Sequence, residues 1–220
     1  MPQSIKEEIV QIYGDNVLHE TYGSTEGGII SNLRPADQLR KLQCVGQAFP
    51  CTNIKVMNES GNESAPNEVG EIFSSSPYLF NGYWKRPKET AEALDSDGWL
   101  TVGDLAKKDD EGYLYIVDRK KDMVISGGIN IYPREIEEVL FQHPDVIDAA
   151  VIGVPDEKWG ETLKAFLVTR DQSELSLDTI EQFCEGKIAK MKMPRNLSII
   201  DVIPRNAGGK VLKTTLRTLD

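Results

Sequence analysis

The chain has 220 residues, 40% of them hydrophobic and 27% charged, which is ordinary for a globular protein of one or two domains. Its formal net charge of −10 argues against a general nucleic-acid-binding protein, and no apolar run reaches the roughly 18 residues of a membrane-spanning helix. Three scattered cysteines and two histidines give no zinc-type or disulfide-type spacing. We therefore expect a cytoplasmic protein with no membrane span and no nucleic-acid partner.

The N-terminal part combines a predicted helix with a glycine-rich polar segment. Apolar residues at helical spacing predict an amphipathic helix over residues 1–13, and a short buried strand follows at 17–18. Residues 19–28 then read HETYGSTEGG. Glycines allow the backbone to approach a ligand closely, the hydroxyls and the Glu26 carboxylate suit a phosphate and its metal, and Tyr22 suits stacking on a ring. A polar strand-to-loop turn is the alternative, because short motifs of this kind often match by chance.

Short strands alternate with turn signals from residue 45 to 117, which predicts a small β-barrel or sandwich-like subdomain. Within it, Gly103 precedes Asp104 in a turn between two strands. A carboxylate there can accept two hydrogen bonds from a diol such as a ribose, or it can simply cap the turn. Arg119 is either a second, fork-shaped partner for a polar ligand or a surface charge.

A charged cluster at residues 118–122, with the sequence DRKKD, separates two apolar strands at 113–117 and 123–126. The pattern predicts a hairpin-like pair of strands with a solvated tip. The cluster also divides halves of different composition, as a hinge between two domains would.

Helices and strands alternate after residue 121, which predicts a compact α+β domain of about a hundred residues, a normal domain size. The predicted strands, which would form a three-stranded sheet, are 146–154, 162–169 and 197–202. Three helices are predicted. The first begins at Pro133 and ends before His143, and the other two cover residues 177–191 and 212–219.

Lys210 is the last candidate functional residue along the chain. It follows Gly208 and Gly209 on a loop that we expect to be flexible. A lysine held by glycines can swing its charge onto a carboxylate, a phosphate or a developing anion, although most lysines in such loops are only solvated.

Five segments together resemble the acyl-adenylate-forming superfamily, in its acyl-CoA synthetase (AMP-dependent synthetase and ligase) branch. They are YGSTE at 22–26, Gly103-Asp104, DRKKD at 118–122, SGGINIYP at 126–133 and PRNAGGK at 204–210. Each is weak alone, but their order and spacing are specific jointly, and the resemblance covers almost the whole chain. It implies a two-step reaction in which a carboxylic acid and ATP give an acyl-adenylate and pyrophosphate, and coenzyme A then displaces AMP. Magnesium is the implied metal.

The resemblance implies a nucleotide site in the first half of the chain. Tyr22 would stack on adenine beside Gly23, Thr25 would contact the nucleotide phosphate, and Glu26 would hold magnesium. Asp104 would bind the ribose hydroxyls.

The remaining implied roles begin at Arg119, which would assist ribose binding. Lys121 occupies the family's hinge position, and Gly128 would line the pantetheine passage. Trp159 would lie near the adenine of coenzyme A. Lys210 would stabilise the adenylation transition state and then swing away.

The implied architecture is mixed α/β and α+β. Residues 1–120 would be the C-terminal part of the large adenylate-forming domain, including a β-barrel-like subdomain, and residues 121–220 the mobile α+β lid with its three-stranded sheet. Val102 stands where many relatives carry threonine. The family's Ser/Thr/Gly-rich phosphate loop, with its own lysine, does not occur before Tyr22. We therefore expect the 220 residues alone to be inactive and to need the N-terminal part of the same enzyme.

Two alternatives remain open for the function. A related synthetase could load a carrier protein instead of coenzyme A, although the segment SGGINIYP favours the coenzyme A branch. The chain could also be a noncatalytic fragment or accessory module.

Overall fold

The protein folds as two compact units, residues 1–120 and 121–220. The computed structural model describes residues 3–170 and 175–219. Each unit has its own sheets and its own hydrophobic core. No helix among the described residues is long and apolar enough to cross a membrane.

The first unit begins with a helix and a small antiparallel sheet. Helix α1 covers Gln3–Tyr13 and ends at Gly14, whose φ of +89° favours glycine. The sheet has the order β1-β2-β3. Its strands are β1 (Glu20–Ser24), β2 (Gly28–Leu33) and β3 (Gln47–Ala48).

A four-stranded antiparallel sheet completes the first unit, with helix α2 (Pro87–Ala93) between its second and third strands. Its strands, in sheet order, are β4 (Asn53–Met57), β5 (Gly70–Ser75), β6 (Asp104–Lys108) and β7 (Leu114–Arg119). Ile30 of the smaller sheet lies in the same buried cluster as Val56, Ile72 and Leu114, so the two sheets share a core. The expected barrel-like form needs correction, because no pairing among the described residues joins β4 to β7 and closes the sheet.

Gly46 lies where the first unit permits no side chain. Its φ is +91°, and a Cβ atom would overlap the backbone of Asn32. Gly61 has a similar φ of +78° but faces open space. We expect Gly61→Ala to lower the free energy of unfolding by about 1 kcal/mol and Gly46→Ala by more than about 3 kcal/mol, since only the second substitution adds a clash to the backbone strain. Urea denaturation followed by circular dichroism measures both, and equal losses would contradict the clash.

The second unit contains a five-stranded sheet in which β11 is central. Strand β11 pairs antiparallel with β10 along its length, parallel with β12, and with β8 through Gly160 and Ser126. The strands are β8 (Val124–Ser126), β9 (Ile129–Ile131), β10 (Val146–Asp156), β11 (Gly160–Thr169) and β12 (Asn196–Ile199). All three expected strands form, but the expected count of three is wrong because the β8–β9 hairpin joins the sheet.

The expected hairpin between 113–117 and 123–126 is also wrong. Strand β7 pairs with β6, whereas β8 pairs with β9, so these two segments lie in different sheets. Residues 120–122 form one turn of 3₁₀ helix between them. Gly127 and Gly128, with φ of +58° and +80°, instead provide the two-residue turn of the β8–β9 hairpin, which needs positive φ at both positions.

Both faces of strands β10 and β11 in the second unit are buried. Helices α3 (Pro133–Leu140) and α4 (Leu177–Cys184) cover the face that carries Val151 and Leu163. The C-terminal segment, with helix α5 (Lys213–Leu216), covers the face that carries Ile152 and Phe166. Helix α4 starts at its expected cap, Ser176, but ends before Gly186, which has a φ of +75°, so the expected helix over 177–191 is too long.

Candidate active site

Asp104 is the centre of a cluster of polar side chains in the first unit. It is the first residue of β6 and only 8% exposed. The Tyr22 hydroxyl donates a hydrogen bond to its Oδ2 at 2.7 Å, and Nε of Arg119 lies 3.2 Å from its Oδ1. Strand pairing explains one contact, because Asp104 and Arg119 are directly opposite in β6 and β7. Three expected nucleotide-binding residues thus meet on one carboxylate.

Tyr22 is fixed at both its ring and its hydroxyl. Its ring packs against the core cluster of the first unit. Burial raises the pKa of Tyr22 well above its usual range, and the neighbouring Asp104 carboxylate adds to the effect. The hydroxyl therefore stays protonated and remains a donor to Asp104 at physiological pH.

The turn between β1 and β2 presents Thr25 and Glu26. Its backbone is closed by a hydrogen bond from the Gly27 N–H to the Ser24 hydroxyl, at 2.9 Å. Gly23 cannot be replaced without a shift of the backbone, because a Cβ atom there would overlap the Gly28 carbonyl. Thr25 is exposed at the tip of this turn.

Glu26 has a partner that the sequence does not reveal. The Tyr83 hydroxyl donates to its Oε1 at 2.7 Å, and the Phe80 N–H donates to its backbone carbonyl at 2.8 Å. This hydrogen bond to Glu26, together with some burial, raises the pKa of Tyr83. No sequence pattern relates Tyr83 to Glu26, since the two lie 57 positions apart with four strands between them.

A single carboxylate at Glu26 suits magnesium only with help from a ligand. Magnesium prefers oxygen atoms and is commonly bound through one or two carboxylates together with substrate phosphates. Within residues 3–170 and 175–219, no group of three or more His, Cys, Asp and Glu side chains could hold a metal ion by itself. The donor set therefore fits a metal that arrives with a nucleotide.

The charged cluster at 118–122 is where the chain passes from one unit to the other. Lys120 belongs to the first unit, since its N–H donates to the Gly103 carbonyl and its ammonium donates to Glu71, both at 2.8 Å. Asp122 belongs to the second unit, where it lies 3.6 Å from a guanidinium nitrogen of Arg217. The exposed Lys121 stands between these two anchored residues.

Gly127, the neighbour of Gly128 in the β8–β9 turn, lies against Trp159 in the second unit. The Gly127 N–H donates to the Trp159 carbonyl at 2.9 Å, and a Cβ atom on Gly127 would lie 2.8 Å from the Trp159 ring. The ring has two cations nearby, with Nζ of Lys158 at 4.9 Å and Cζ of Arg195 at 5.0 Å from its centroid. The sequence indicated Gly128 and Trp159 separately, but it gave no sign that Arg195 joins them.

The loop that carries Lys210 is closed by hydrogen bonds of Asn206, while its expected flexibility stays a prediction. The Asn206 N–H donates to the Lys210 carbonyl at 2.9 Å. The Asn206 side-chain oxygen accepts from the N–H groups of Gly208 and Lys210 at 3.0 Å each. The Lys210 side chain itself is exposed.

Two family models match this chain. The model described as AMP-binding enzyme matches residues 1–84, and the model described as AMP-binding enzyme C-terminal domain matches residues 135–210. The chain therefore belongs to the AMP-binding enzyme family, which confirms the resemblance seen in its motifs.

Its relatives include characterised ligases. The chain is 43% identical over 216 residues to the long-chain-fatty-acid–CoA ligase FadD13 of Mycobacterium tuberculosis, covering 96% of this chain and 42% of that protein. It superposes with a TM-score of 0.89 and 36% identity on the o-succinylbenzoate CoA synthetase of Bacillus subtilis in complex with its acyl-adenylate intermediate, over 98% of this chain and 44% of that one. The same synthetase with ATP and a magnesium ion gives a TM-score of 0.88 at 35% identity, over 99% of this chain and 44% of that one. This chain thus spans about two fifths of the relatives it matches.

Proposed function

We propose that these residues are the C-terminal portion of an AMP-forming carboxylic acid–CoA ligase. Residues 1–120 would end its large domain, and residues 121–220 would form its mobile lid. The observation that carries this proposal is the convergence of Tyr22 and Arg119 on the buried Asp104. A carboxylate has about four lone-pair positions, so with two of them taken by Tyr22 and Arg119 it still has acceptors for the two hydroxyls of a ribose.

The nucleotide would be bound by groups of the first unit. Arg119 and Tyr22 hold the Asp104 carboxylate in place to face the diol. The Tyr22 ring and the backbone at Gly23 would contact the adenine, and Thr25 the phosphate. Glu26, oriented by Tyr83, would hold magnesium, which when bound neutralises charge on the phosphates. These residues supply binding and orientation before any bond is formed.

The second unit would supply the groups that change between the two half-reactions. Lys210 carries a charge that can stabilise the phosphate while the substrate carboxylate attacks it. The Gly127–Gly128 turn and Trp159, with two cations beside its ring, would accept coenzyme A in the second step. Rotation about Lys121 would bring these groups into place in turn, because one site serving two reactions needs two stable arrangements.

Carrier-protein loading is the runner-up function. The glycine-glycine turn at 127–128 and the Trp159 indole beside it favour coenzyme A. The turn has no side chains to obstruct a ligand, and the indole with its neighbouring cations suits a nucleotide. The unpaired thiols of Cys44, Cys51 and Cys184 fit a reducing compartment, and we propose the cytoplasm.

A coupled assay of the full-length protein tests the proposal. Purified enzyme is incubated with ATP, magnesium and a panel of carboxylic acids, and pyrophosphate, AMP and the CoA thioester are measured. We expect acid-dependent pyrophosphate release and CoA-dependent AMP release. The 220-residue chain alone should give neither, because no Ser/Thr/Gly-rich loop with a lysine precedes Tyr22. Acid-dependent transfer to a carrier protein but not to coenzyme A would favour the runner-up.

A further inference from the structure

The segment that carries Lys210 is anchored on the second unit at both of its ends. Ile203 and Leu216 are almost fully buried and lie in one cluster with Ala150, Ile152 and Phe166 of strands β10 and β11. Lys210 lies between these two anchors along the chain. The ends of the loop are therefore fixed, and its tip can be placed accurately only if the residues between them are also held.

Arg205 holds the loop from outside. Its Nη2 lies 2.8 Å from both carboxylate oxygens of Asp148 on β10. Its Nη1 donates to the carbonyl of Gly209, the residue before Lys210, at 2.9 Å. One guanidinium thus connects strand β10 of the sheet directly to the backbone beside Lys210.

Asn206 holds the same loop from inside. Its backbone and side chain are hydrogen-bonded to both the N–H and the carbonyl of Lys210. The peptide groups on both sides of Lys210 are consequently fixed relative to β10, although the lysine side chain extends into solvent.

Three of the four cations between residues 203 and 217 form ion pairs with carboxylates, and Lys210 is the fourth. Arg205 pairs with Asp148, Lys213 with Glu137, and Arg217 with Asp122. In the described part of the chain, Lys210 has no carboxylate within ion-pairing distance, so its charge stays available for a ligand.

We propose that Arg205 and Asp148 are positioning residues that set the place of Lys210 for the adenylation step. The inference rests on the proposed function, since it assigns the adenylation role to Lys210. Arg205 acts through the Gly209 carbonyl and does not contact the substrate. A displacement of a reacting group by about 1 Å can slow a reaction about a hundredfold, so a loose loop would be costly even in a folded enzyme.

Arg205 suits a test because its loss should not unfold the protein. Its side chain is 39% exposed and that of Asp148 22%, and ion pairs with such exposure add little to stability. The Lys213–Glu137 pair is different, at 12% and 17% exposed, and Glu137 also accepts a hydrogen bond from the Val151 N–H. Substitution of that second pair would confuse positioning with folding.

The first measurement needs only the 220-residue chain. Amide hydrogen exchange of Gly208 and Lys210 is followed by NMR in the wild type, Arg205→Ala and Asp148→Asn. We expect exchange about tenfold faster in both variants, because the loop then opens more easily. Arg134→Ala is the matched control, since Arg134 forms an ion pair of similar exposure with Glu138 on α3. An unchanged exchange rate in Arg205→Ala would overturn the proposal that Arg205 holds the loop through Asp148 and the Gly209 carbonyl.

The second measurement uses the full-length ligase under single-turnover conditions. Arg205→Ala should slow acyl-adenylate formation about 10- to 100-fold, leave the ATP dissociation constant within about threefold, and leave thioester formation from preformed acyl-adenylate nearly unchanged. Arg205→Lys should recover part of the rate, because lysine can reach Asp148 or the Gly209 carbonyl but lacks the planar fork that joins them.

A double-mutant cycle separates positioning from a general structural effect. If Arg205 acts through Lys210, then Arg205→Ala should have almost no further effect on adenylation in a Lys210→Ala background. Additive losses, or equal losses in both half-reactions, would refute the proposal. A wild-type enzyme that forms no acyl-adenylate with any acid would instead refute the proposed function. The hydrogen-exchange experiment would still decide whether the Arg205–Asp148 pair holds the loop.

Discussion

Replacement of Lys210 by alanine in the full-length ligase should slow acyl-adenylate formation by about 10²- to 10³-fold, the loss typical of removing one group that stabilises a developing charge. The Lys210 side chain is exposed and has no ion-pair partner among the described residues, so we expect the truncation to remove charge and leave the fold intact. Thioester formation from preformed acyl-adenylate should change by less than about threefold. Rapid-quench measurement of each half-reaction separates the two effects.

Lys187→Ala is the control for this substitution. Lys187 carries the same charge in the same unit, but it lies outside the motif segments. Its ammonium lies over the Phe183 ring, 3.2 Å from the centroid. It should leave both half-reactions within about twofold. Equal losses in the two half-reactions of Lys210→Ala would contradict the role assigned to this lysine.

Asp104→Ala should weaken ATP binding about a hundredfold or more. Hydrogen bonds to a charged group contribute about 1.5–3 kcal/mol each, and the substitution removes both acceptors proposed for the ribose. It also leaves the buried Tyr22 hydroxyl and the Arg119 guanidinium without their common partner. Binding of ATP and of 2′,3′-dideoxy-ATP by calorimetry measures the effect, and only ATP should be affected strongly.

Tyr22→Phe is the matched variant, because it keeps the ring and removes the hydrogen bond to Asp104. We expect a loss below about tenfold for ATP, since the ring would still contact the adenine and Arg119 would still orient the carboxylate. If Asp104→Ala weakened both nucleotides equally, Asp104 would be a structural residue of the sheet and not the ribose-binding group.

The sequence predicted those parts of the fold that depend on local patterns. Residues 146–154 and 162–169 alternate or remain apolar along their length, so strands were expected there and are found as β10 and β11. Ser176 precedes a helical face, and its hydroxyl caps α4 by accepting from the Thr179 N–H. The motif segments were sufficient to identify the family because each has a fixed place in it.

Contacts between distant segments were not predictable in the same way. A strand pattern at 123–126 does not tell which strand it will pair with, and the turn at Gly127–Gly128 decided that β8 pairs with β9. The hydrogen bonds of Tyr83 with Glu26 and of Arg205 with Asp148 each join residues 57 positions apart. Tertiary packing creates such pairs, and single residues of common types carry no sign of them.

The passage between the two units is short, since anchored residues flank Lys121 on both sides. Lys120 is held to the first unit by both its N–H and its ammonium, and Asp122 is paired with Arg217 in the second. If Lys121 is the hinge, the backbone torsions at essentially one residue carry the motion. A single residue has only two free backbone torsions, φ and ψ, so a one-residue joint permits far fewer arrangements than a long flexible linker would. The range of positions open to Lys210, which the second unit carries, would then be limited by the shortness of the joint, while its place within that unit would be set by the loop that holds it.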